Sequence, residues 1–378
     1  MKIVIVGVRF GGEFVPIYLN HPLIERVGLC DTNPQCIKEM TERYGEVFDL
    51  YENFDEVLKD ENVDCVHILT PPALHAEMSV KALNSGKNVA CAVTMGTSLE
   101  QIRQVVEAVR TSGKNYTMME TAVYTRNFRY AKHMQDTGEL GEIQYLKSEY
   151  YQDVEGLQEH WIGYPPMCYA THSIAPLVFF AKSRVEEIYC VGSGTICEDM
   201  KKRYGNPFAV ESALLRFGNG LRAGVVRSFN GVAKEYIEQF DVYGTKATFE
   251  WQQVNAIEKP VIYKIAPSYR DETGRYRRRN VQTVLFTPRD LPSDLPERIK
   301  PYLHENKYEA KGTKGKFFRE GGDHHGAHPY IVDEFLRSIA ENRKSFCDEL
   351  TAANICAAGI LAHQSAMNGG VAIKVPLF

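Results

Sequence analysis

The chain has 378 residues, of which 44% are hydrophobic and 24% are charged, and its formal net charge is −4. This composition is typical of a soluble globular protein, and the length favours two domains. The charge balance gives no reason to expect nucleic acid or a membrane as a partner. No apolar run approaches the roughly 20 residues that cross a bilayer, and the start, MKIVIVGV, lacks signal-peptide features.

The cysteines indicate a reducing compartment. There are nine, an odd number, and they are scattered without a CxxC pair. Reduced thiols are the simplest explanation, so we expect a cytoplasmic protein.

Strand-like and helix-like runs alternate through the first 120 residues. The strand-like runs are 3–7, 27–31, 65–70, 88–93 and 115–121. The helical runs are 14–24, 35–45, 55–61, 75–86 and 98–113, the last with a capping box at Ser98 and Gln101. Repeated β–α units predict a parallel sheet with helices on both faces.

The pattern changes after Thr121. A helix at 126–141 is followed by strand-like runs with turn signals at 218–220 and 229–231. These runs are 143–153, 185–194, 209–220, 221–231 and 236–252. Residues 254–326 are irregular, and helices at 328–343 and 349–370 close the chain. We therefore predict an α/β protein with a parallel-sheet domain (1–121) and an α/β domain with an open, mostly antiparallel sheet (122–378).

The turn GVRFGG (7–12) follows the first strand and opens the first helix, as in a dinucleotide-binding loop. The GxGxxG motif is imperfect, because Arg9 replaces the second glycine, and a plain glycine turn is the alternative. Asp31 ends the second strand, where an acid binds the ribose 2′-hydroxyl and disfavours a 2′-phosphate. The loop therefore predicts NAD rather than NADP, although Arg9 can also bind a phosphate. The predicted cofactor contacts here are Gly7, Arg9, Phe10, Gly12 and Asp31.

The segment TPPALH (70–75) follows another parallel strand, at the edge where open α/β sheets bind ligands. Thr70, Pro71 and His75 are therefore predicted to contact the ribose or nicotinamide. The alternative for His75 is a cap on the following helix.

Together with "TPPALHAE", the strand "NVACAVTMG" (88–96) resembles the Gfo/Idh/MocA superfamily of oxidoreductases over nearly the whole chain. The resemblance implies a Rossmann domain followed by an open-sheet α/β domain. It also implies an NAD(P)-dependent dehydrogenase of sugars, cyclitols or related polyols. In this family the open sheet is a subunit contact, so a homodimer or homotetramer is implied.

One departure separates this chain from the common family pattern. The family has Glu-Lys-Pro after this strand, and its lysine assists proton transfer, but this chain has Ala92-Val93-Thr94. A branch that also lacks the lysine contains NAD-dependent glycosidases of the α-N-acetylgalactosaminidase type. MMETAVY (118–124) and YATH (169–172) resemble that branch.

The oxidation of a secondary alcohol needs a base with a pKa near 7, which favours histidine. His172 is the predicted base, with Tyr169 as its hydrogen-bonded partner or proton relay. The two residues lie three apart at the start of an apolar helix and share one face. The alternative is that His172 only caps that helix.

Further residues are predicted to bind substrate. Glu120 ends the last strand of the first domain and is expected to contact a sugar hydroxyl or the nicotinamide carboxamide. Its alternative is a buried carboxylate paired with Arg126 or Arg129.

In SEYYQD (148–153) alternation separates Tyr150 from Asp153, and we favour Asp153. Tyr124 is expected to stack on the sugar. His160 and Trp161 are candidates for the pocket wall, although aromatic residues there are more often core.

Two remaining segments are rich in histidine or arginine. Asp323, His324, His325 and His328 in DHHGAHP (323–329) have metal-binding side chains. They lack the i, i+4 pairing on an established helix, so we expect no metal and assign His325 to the substrate pocket. RYRRRN (275–280) is most simply a solvated loop or a subunit contact.

Three functions are compatible with these residues. The first is an NAD-dependent oxidoreductase acting on a small carbohydrate or glycoside. The second is a redox-neutral NAD-dependent glycosidase, which the missing lysine and the Tyr-Ala-Thr-His motif favour. The third is an inactive nucleotide-binding regulator, which Arg9 and Val93 favour and which Glu120, Tyr169 and His172 oppose.

Overall fold

The computed structural model describes residues 1–154, 158–234, 236–251, 259–265, 270–275, 281–309 and 317–378. Strands and helices alternate in the first 120 residues. In chain order they are β1 (Lys2–Val6), α1 (Val8–Gly11), α2 (Val15–Asn20), β2 (Arg26–Cys30), α3 (Pro34–Tyr44), β3 (Phe48–Tyr51), α4 (Phe54–Lys59), β4 (Cys65–Ile68), α5 (Pro72–Asn84), β5 (Asn88–Cys91), α6 (Leu99–Ser112) and β6 (Tyr116–Met118). The sequence analysis missed only β3 among these strands, because Phe48 is its one buried residue.

These six strands form one parallel sheet in the order β3-β2-β1-β4-β5-β6. This is a Rossmann sheet, so the predicted parallel domain is confirmed. Its central strands, β1 and β4, are almost fully buried, as expected for a parallel sheet with helices on both faces. The strand order reverses between β1 and β4, and ligands of such sheets bind at the carboxyl ends beside that reversal.

The middle of the chain is mostly β-structure. It contains α7 (Arg126–Asp136), β7 (Ile143–Tyr151), α8 (Thr171–Ala181), β8 (Val185–Ser193), α9 (Glu198–Tyr204), β9 (Val210–Phe217), β10 (Arg222–Ser228), β11 (Ile237–Gly244), β12 (Ala247–Glu250), β13 (Val261–Ile265) and β14 (Val281–Leu285). The remaining elements are β15 (Asn306–Glu309), β16 (Phe317–Glu320), α10 (Asp323–Gly326), α11 (His328–Ala340), α12 (Glu349–Met367) and β17 (Ile373–Lys374). The predicted run 236–252 is therefore two strands, and the run 254–326 is more regular than expected. Residues 276–280 of the basic run RYRRRN lie outside the described residues.

A nine-stranded sheet has the order β14-β13-β12-β11-β7-β10-β9-β8-β17. Only β7 and β10 pair in parallel, and the other neighbours are antiparallel. The predicted open, mostly antiparallel sheet is thus confirmed. The helix α8 packs against β7, β10 and β11, and Phe128, Phe180 and Phe240 form an aromatic cluster on this side.

The chain divides into two compact units. The first contains Met1–Thr125, Pro292–Ala357 and Leu377–Phe378, and the second contains Arg126–Leu291 and Ala358–Pro376. The predicted domain ranges, 1–121 and 122–378, stay a prediction. Across the described residues, every helix is too short or too polar to traverse a bilayer.

Candidate active site

Two glycines of the turn after β1 are closely packed, and Gly7 also needs a left-handed backbone. Gly7 has a φ of 94°, and a Cβ there would lie 2.7 Å from the Leu69 carbonyl oxygen. A Cβ at Gly12 would lie 3.1 Å from the Val8 oxygen and 3.2 Å from Met40 Sδ. The turn thus depends on Gly7, and a side chain at Gly12 would push against Met40 and the Val8 carbonyl. This packing fits the close backbone approach of a dinucleotide loop. The Arg9 and Phe10 side chains are exposed, so they leave this backbone accessible.

Asp31 lies directly beside the glycine turn. Its Oδ2 accepts a hydrogen bond from the Val8 amide at 2.6 Å, and its Oδ1 accepts one from Asn33 at 2.8 Å. The carboxylate is therefore fixed at the end of β2. The loop geometry and this acid together fit an adenosine diphosphate group, and the negative charge opposes an additional phosphate.

His75 connects the loops that follow β4 and β5. The imidazole is 1% exposed, and its Nδ1 and Nε2 lie 2.7 Å from the Thr94 oxygen and 2.6 Å from the Thr70 oxygen. Burial alone lowers the pKa of His75, but Cys91 and the two carbonyl groups outweigh it, so the pKa is raised. The N-cap of α5 is Pro71, without a side-chain cap. His75 therefore holds two loops together, and its predicted cofactor contact stays a prediction.

No ionisable side chain replaces the family lysine at the end of β5. Val93 is 7% exposed and Thr94 is 1% exposed. The Thr94 hydroxyl donates to the Gly96 oxygen at 2.9 Å, while its own carbonyl faces His75. These three positions, Ala92 to Thr94, shape the loop and provide no proton acceptor.

Glu120 and Tyr124 are buried in the first unit. Glu120 is fully buried, and its Oε1 accepts from the Ala122 amide at 3.0 Å, at the start of a 3-10 turn. Arg126, one of its two alternative partners, donates to Asp290 at 2.8 Å, and the alternative pairing with Arg126 or Arg129 stays a prediction. The Tyr124 ring packs edge-on against Phe346 at 5.9 Å. Burial, with Glu334 nearby, raises the pKa of Tyr124 well above its usual value.

The DHHGAHP segment lies beside the dinucleotide loop. Asp323 and His328, with Arg9, Gly12 and Glu13, border a cavity of about 220 Å³. Burial and the adjacent Asp323 raise the pKa of Glu13 to about 8.

Two of the histidines of this segment contact each other, and two have an unusual backbone conformation. His324 Nδ1 lies 3.1 Å from His328 Nε2. His324 and the half-buried His325 both have left-handed backbone, with φ of 46° and 54°. Within the described ranges, no group of three or more His, Cys, Asp or Glu side chains is arranged to hold a metal ion. The predicted role of His325 in the substrate pocket stays a prediction.

His172 is the second residue of α8 and is 7% exposed. Its ring meets Tyr150 at 5.6 Å and Tyr169 at 5.9 Å, both edge-on. Its Nε2 lies 4.0 Å from Glu238 Oε1. The N-cap of α8 is Ala170, without a side-chain cap, so the structure does not support a capping role for His172.

Four buried polar side chains form a row beneath α8. Glu211, Arg227, Tyr150 and Glu238 are register partners on the adjacent strands β9, β10, β7 and β11. We call these four residues the polar row. All four are less than 7% exposed. Because residues in register share a face of the sheet, the row puts two acids and one cation on the side that α8 covers.

Arg227 is the cation of this row and was missed by the sequence analysis. It is fully buried, and Nε donates to the Tyr169 oxygen at 3.2 Å while Nη2 donates to Gln152 Oε1 at 3.0 Å. Burial lowers the pKa of Arg227 to about 10, against the opposing effect of neighbouring tyrosines and Glu238. The alternation of β10 was a usable signal, because Ala223 and Val225 are buried on the same face.

Hydroxyl groups link the polar row to the surface. The Tyr236 hydroxyl donates to Glu238 Oε1. The Tyr150 hydroxyl lies 3.4 Å from the Tyr236 hydroxyl and donates to Gln152 Oε1 at 3.0 Å. The Tyr150 ring also lies beside His172. Asp153, the residue favoured above, is exposed just after β7.

Trp161 extends the aromatic wall around Tyr169. Its ring meets Tyr169 at 4.7 Å and Phe229 at 5.6 Å, and His160 packs on it at 4.7 Å. Tyr169 and Trp161 are only partly buried and pack against the cluster of Val154, Tyr164 and Phe229. His160 and Trp161 thus lie next to Tyr169, whose ring meets His172.

Two family models match this chain. The model described as "Oxidoreductase family, NAD-binding Rossmann fold" matches residues 1–120, and the "GFO/IDH/MocA C-terminal domain" matches residues 128–250. The chain belongs to the GFO/IDH/MocA oxidoreductase family. Its first unit therefore contains the NAD-binding Rossmann domain of that family, and the loop geometry described above fits this cofactor.

Several proteins resemble this GFO/IDH/MocA member. A "Glycosyl hydrolase family 109 protein" of Stenotrophomonas maltophilia (strain K279a) is 28% identical over 146 residues, 36% of this chain. A "Glycosyl hydrolase family 109 protein 1" of Phocaeicola vulgatus is 23% identical over 410 residues, covering 99% of this chain and 82% of that protein. The chain spans only 32% of the length of the Stenotrophomonas protein.

A solved structure shares the fold. The scyllo-inositol dehydrogenase of Lactobacillus casei, with bound NAD(H) and scyllo-inositol, has a TM-score of 0.70 and 18% identity. The match covers 99% of each chain. At this identity the match supports the fold alone.

Proposed function

We propose that this protein is an NAD-dependent oxidoreductase that takes a hydride from a secondary hydroxyl carbon of a sugar or glycoside. The observation that carries the proposal is His172, a buried imidazole between Tyr150 and Tyr169 that faces Glu238. Alcohol oxidation needs such a base as well as a hydride acceptor. The Lactobacillus enzyme, with its bound cyclitol, supports a polyhydroxylated substrate.

Each part of the chain has a separate task in this reaction. The nicotinamide, when bound, supplies the hydride acceptor. Gly7 and Gly12 leave room for the diphosphate, and Asp31 binds the adenosine ribose. His172 takes the hydroxyl proton, with Tyr169 beside it. Glu120, Tyr124, Asp153, Trp161 and His325 are kept as proposed substrate contacts.

A redox-neutral glycosidase is the second candidate. Such an enzyme oxidises a ring hydroxyl, eliminates the aglycone, adds water and reduces the product again, so no net oxidant is consumed. The specific observation in its favour is Val93, a buried apolar side chain where dehydrogenases of the family have lysine. The two glycosyl hydrolase relatives support it as well.

One experiment separates these functions. A panel of free sugars and p-nitrophenyl glycosides is incubated with protein and NAD, and both NADH and released aglycone are measured. NADH accumulation supports the dehydrogenase, and aglycone release without net NADH supports the glycosidase. The control is His172→Ala, which should abolish either signal. If neither signal depends on this histidine, the proposed base is wrong.

A homodimer or homotetramer in the cytoplasm completes the proposal. The sheet face opposite α8 exposes Tyr145, Tyr189 and Leu214, and apolar patches of this kind mark subunit contacts. All nine cysteines are unpaired thiols, which fits a reducing compartment. Light scattering of Leu214→Glu tests the contact, because an unchanged oligomer would exclude Leu214 from it.

A further inference from the structure

The carboxylate of Glu238 faces the imidazole that the proposed reaction uses. Its Oε1 lies 4.0 Å from His172 Nε2, and the Tyr236 hydroxyl donates to the same oxygen. A carboxylate oxygen accepts two hydrogen bonds, so the bond from Tyr236 does not prevent Oε1 from accepting one from an imidazolium. The sequence analysis assigned no role to either Glu238 or Tyr236.

We propose that Glu238 is the positioning residue of His172 and that Tyr236 connects this pair to solvent. The proposal rests on the role of His172 as base in the proposed function. When His172 takes the hydroxyl proton, the resulting imidazolium pairs with Glu238. The proton then passes from Nε2 to Glu238 Oε1. Tyr236 accepts it as its own hydroxyl proton leaves to water, and all three side chains return to their starting protonation states.

Burial determines the direction of this route. His172 and Glu238 are 7% and 6% exposed, whereas Tyr236 is 44% exposed. Tyr150 is 2% exposed, and its hydroxyl is 3.4 Å from that of Tyr236, so it does not itself reach water. Tyr236 is therefore the member of this group with substantial exposed surface, and the proposed route to solvent runs through it.

The polar row also brings a cation to the side of the sheet that holds Glu238. Buried charges are stable only when other charges and hydrogen bonds compensate them. In the row, Tyr150 lies between Glu238 on β11 and Arg227 on β10. Among the described residues, the titratable groups seen to face His172 are Tyr150 from β7, Glu238 from β11 and Tyr169 ahead of α8, with Arg227 behind Tyr150.

The test compares Glu238→Gln with Glu238→Asp and Tyr236→Phe. We expect Glu238→Gln to lower kcat roughly 10²-fold, with KM and the dissociation constant of NADH nearly unchanged. Glu238→Asp should recover part of the loss because it restores the charge. The matched control is Glu149→Gln, a buried carboxylate on the opposite face of β7 that pairs with Lys147 at 2.6 Å.

A second measurement does not depend on turnover. In ¹⁵N-histidine-labelled protein without substrate, the His172 signals are followed against pH. We expect His172 to take up its proton at a lower pH in Glu238→Gln, because that variant lacks the anion that faces the imidazolium. An unchanged titration would overturn the proposal.

The outcomes separate this proposal from the proposed function. If His172→Ala abolishes turnover and Glu238→Gln behaves like Glu149→Gln, the function stands and the role of Glu238 is wrong. If His172→Ala retains turnover, both are wrong. If Glu238→Gln does not fold, Tyr236→Phe decides, because it keeps the carboxylate and the imidazole. An unchanged kcat in that variant would exclude the route to solvent.

Discussion

The guanidinium of Arg227 stacks on the ring of Tyr150, with Cζ 3.6 Å from the ring centroid. Phe229 lies on the guanidinium at 4.3 Å. A planar cation between two aromatic rings is a geometry that lysine cannot reproduce. Because Arg227 also donates to the Tyr169 carbonyl, one side chain contacts both tyrosines whose rings meet His172.

Arg227→Lys should therefore lower both the stability of the folded protein and its turnover. We expect the free energy of unfolding in urea to fall by about 2–4 kcal/mol, because several charge-assisted hydrogen bonds are lost. Turnover per folded molecule should also fall. The control is Arg222→Lys, an exposed residue on the same strand, which should change stability by less than about 0.5 kcal/mol. Equal stability of both variants would show that the stacking contributes little.

His172→Ala should cost roughly 10²- to 10⁴-fold in turnover, the usual contribution of a positioned base. NAD affinity should hardly change, because the dinucleotide loop lies in the first unit. Melting temperature and turnover are measured together, with the exposed His133→Ala as the control. A destabilised variant with full turnover per folded molecule would contradict the assignment and direct attention to Tyr169, Asp153 or His325.

Val93→Lys should not raise turnover. The position is 7% exposed, and Ala92 provides no acid to balance an ammonium. A lysine here should lose its proton or disturb the loop. Steady-state rates of Val93→Lys are compared with those of Val93→Met, which has similar length and no charge. A clear gain with lysine alone would mean that the site is a degraded form of the common one.

NAD should bind more tightly than NADP, because Asp31 stands where a 2′-phosphate must go. Fluorescence titration of the two reduced cofactors gives both dissociation constants. Asp31→Ala should bring the two dissociation constants closer together. It removes a contact to the ribose of NAD and the repulsion of the 2′-phosphate of NADP. Tighter binding of NADP to the native protein would overturn the cofactor assignment.

Glu13→Gln should stabilise the protein in mild alkali more than in acid. Burial and Asp323 raise the pKa of Glu13 from 4.5 to about 8, so the folded state holds a proton that the unfolded chain has released. Stability from this proton is full below pH 4.5 and is lost as pH rises through about 8. Melting temperatures at pH 5 and pH 8.5 test this. The side chain is 39% exposed, so solvent screening keeps the effect small.

The first sheet was predictable because its strands are continuous apolar runs separated by amphipathic helices. IVIV at 3–6 is a β-branched apolar run bounded by a glycine turn, which indicates a buried strand. The edge strand β3 carries the sequence FDLY, which lacks such a signal. Local patterns also predicted that Tyr169 and His172 lie together, but not how. Tyr169 ends a 3-10 turn (Pro166–Tyr169) ahead of α8 and is not part of that helix, as the prediction had assumed.

The polar row was out of reach for a different reason. Arg227 bonds residues that lie 58 to 77 positions away in the chain, and no local pattern encodes such pairings. Alternation correctly separated Tyr150 from Asp153. Which of those two faces meets His172 depends on the side of the sheet that α8 covers, and only the packed structure reveals it.

The polar row also makes the stability of the sheet depend on the correct register of its strands. Its members come from four strands, and a slip of one residue in β10 would turn Arg227 to the opposite face and leave Tyr150 without its cation. A misaligned sheet would then bury Glu238 without the positive charge of Arg227, at a cost of several kcal/mol, whereas Glu211 would keep its contact with His363. The same residues that serve the proposed chemistry thus disfavour misfolded arrangements of the sheet.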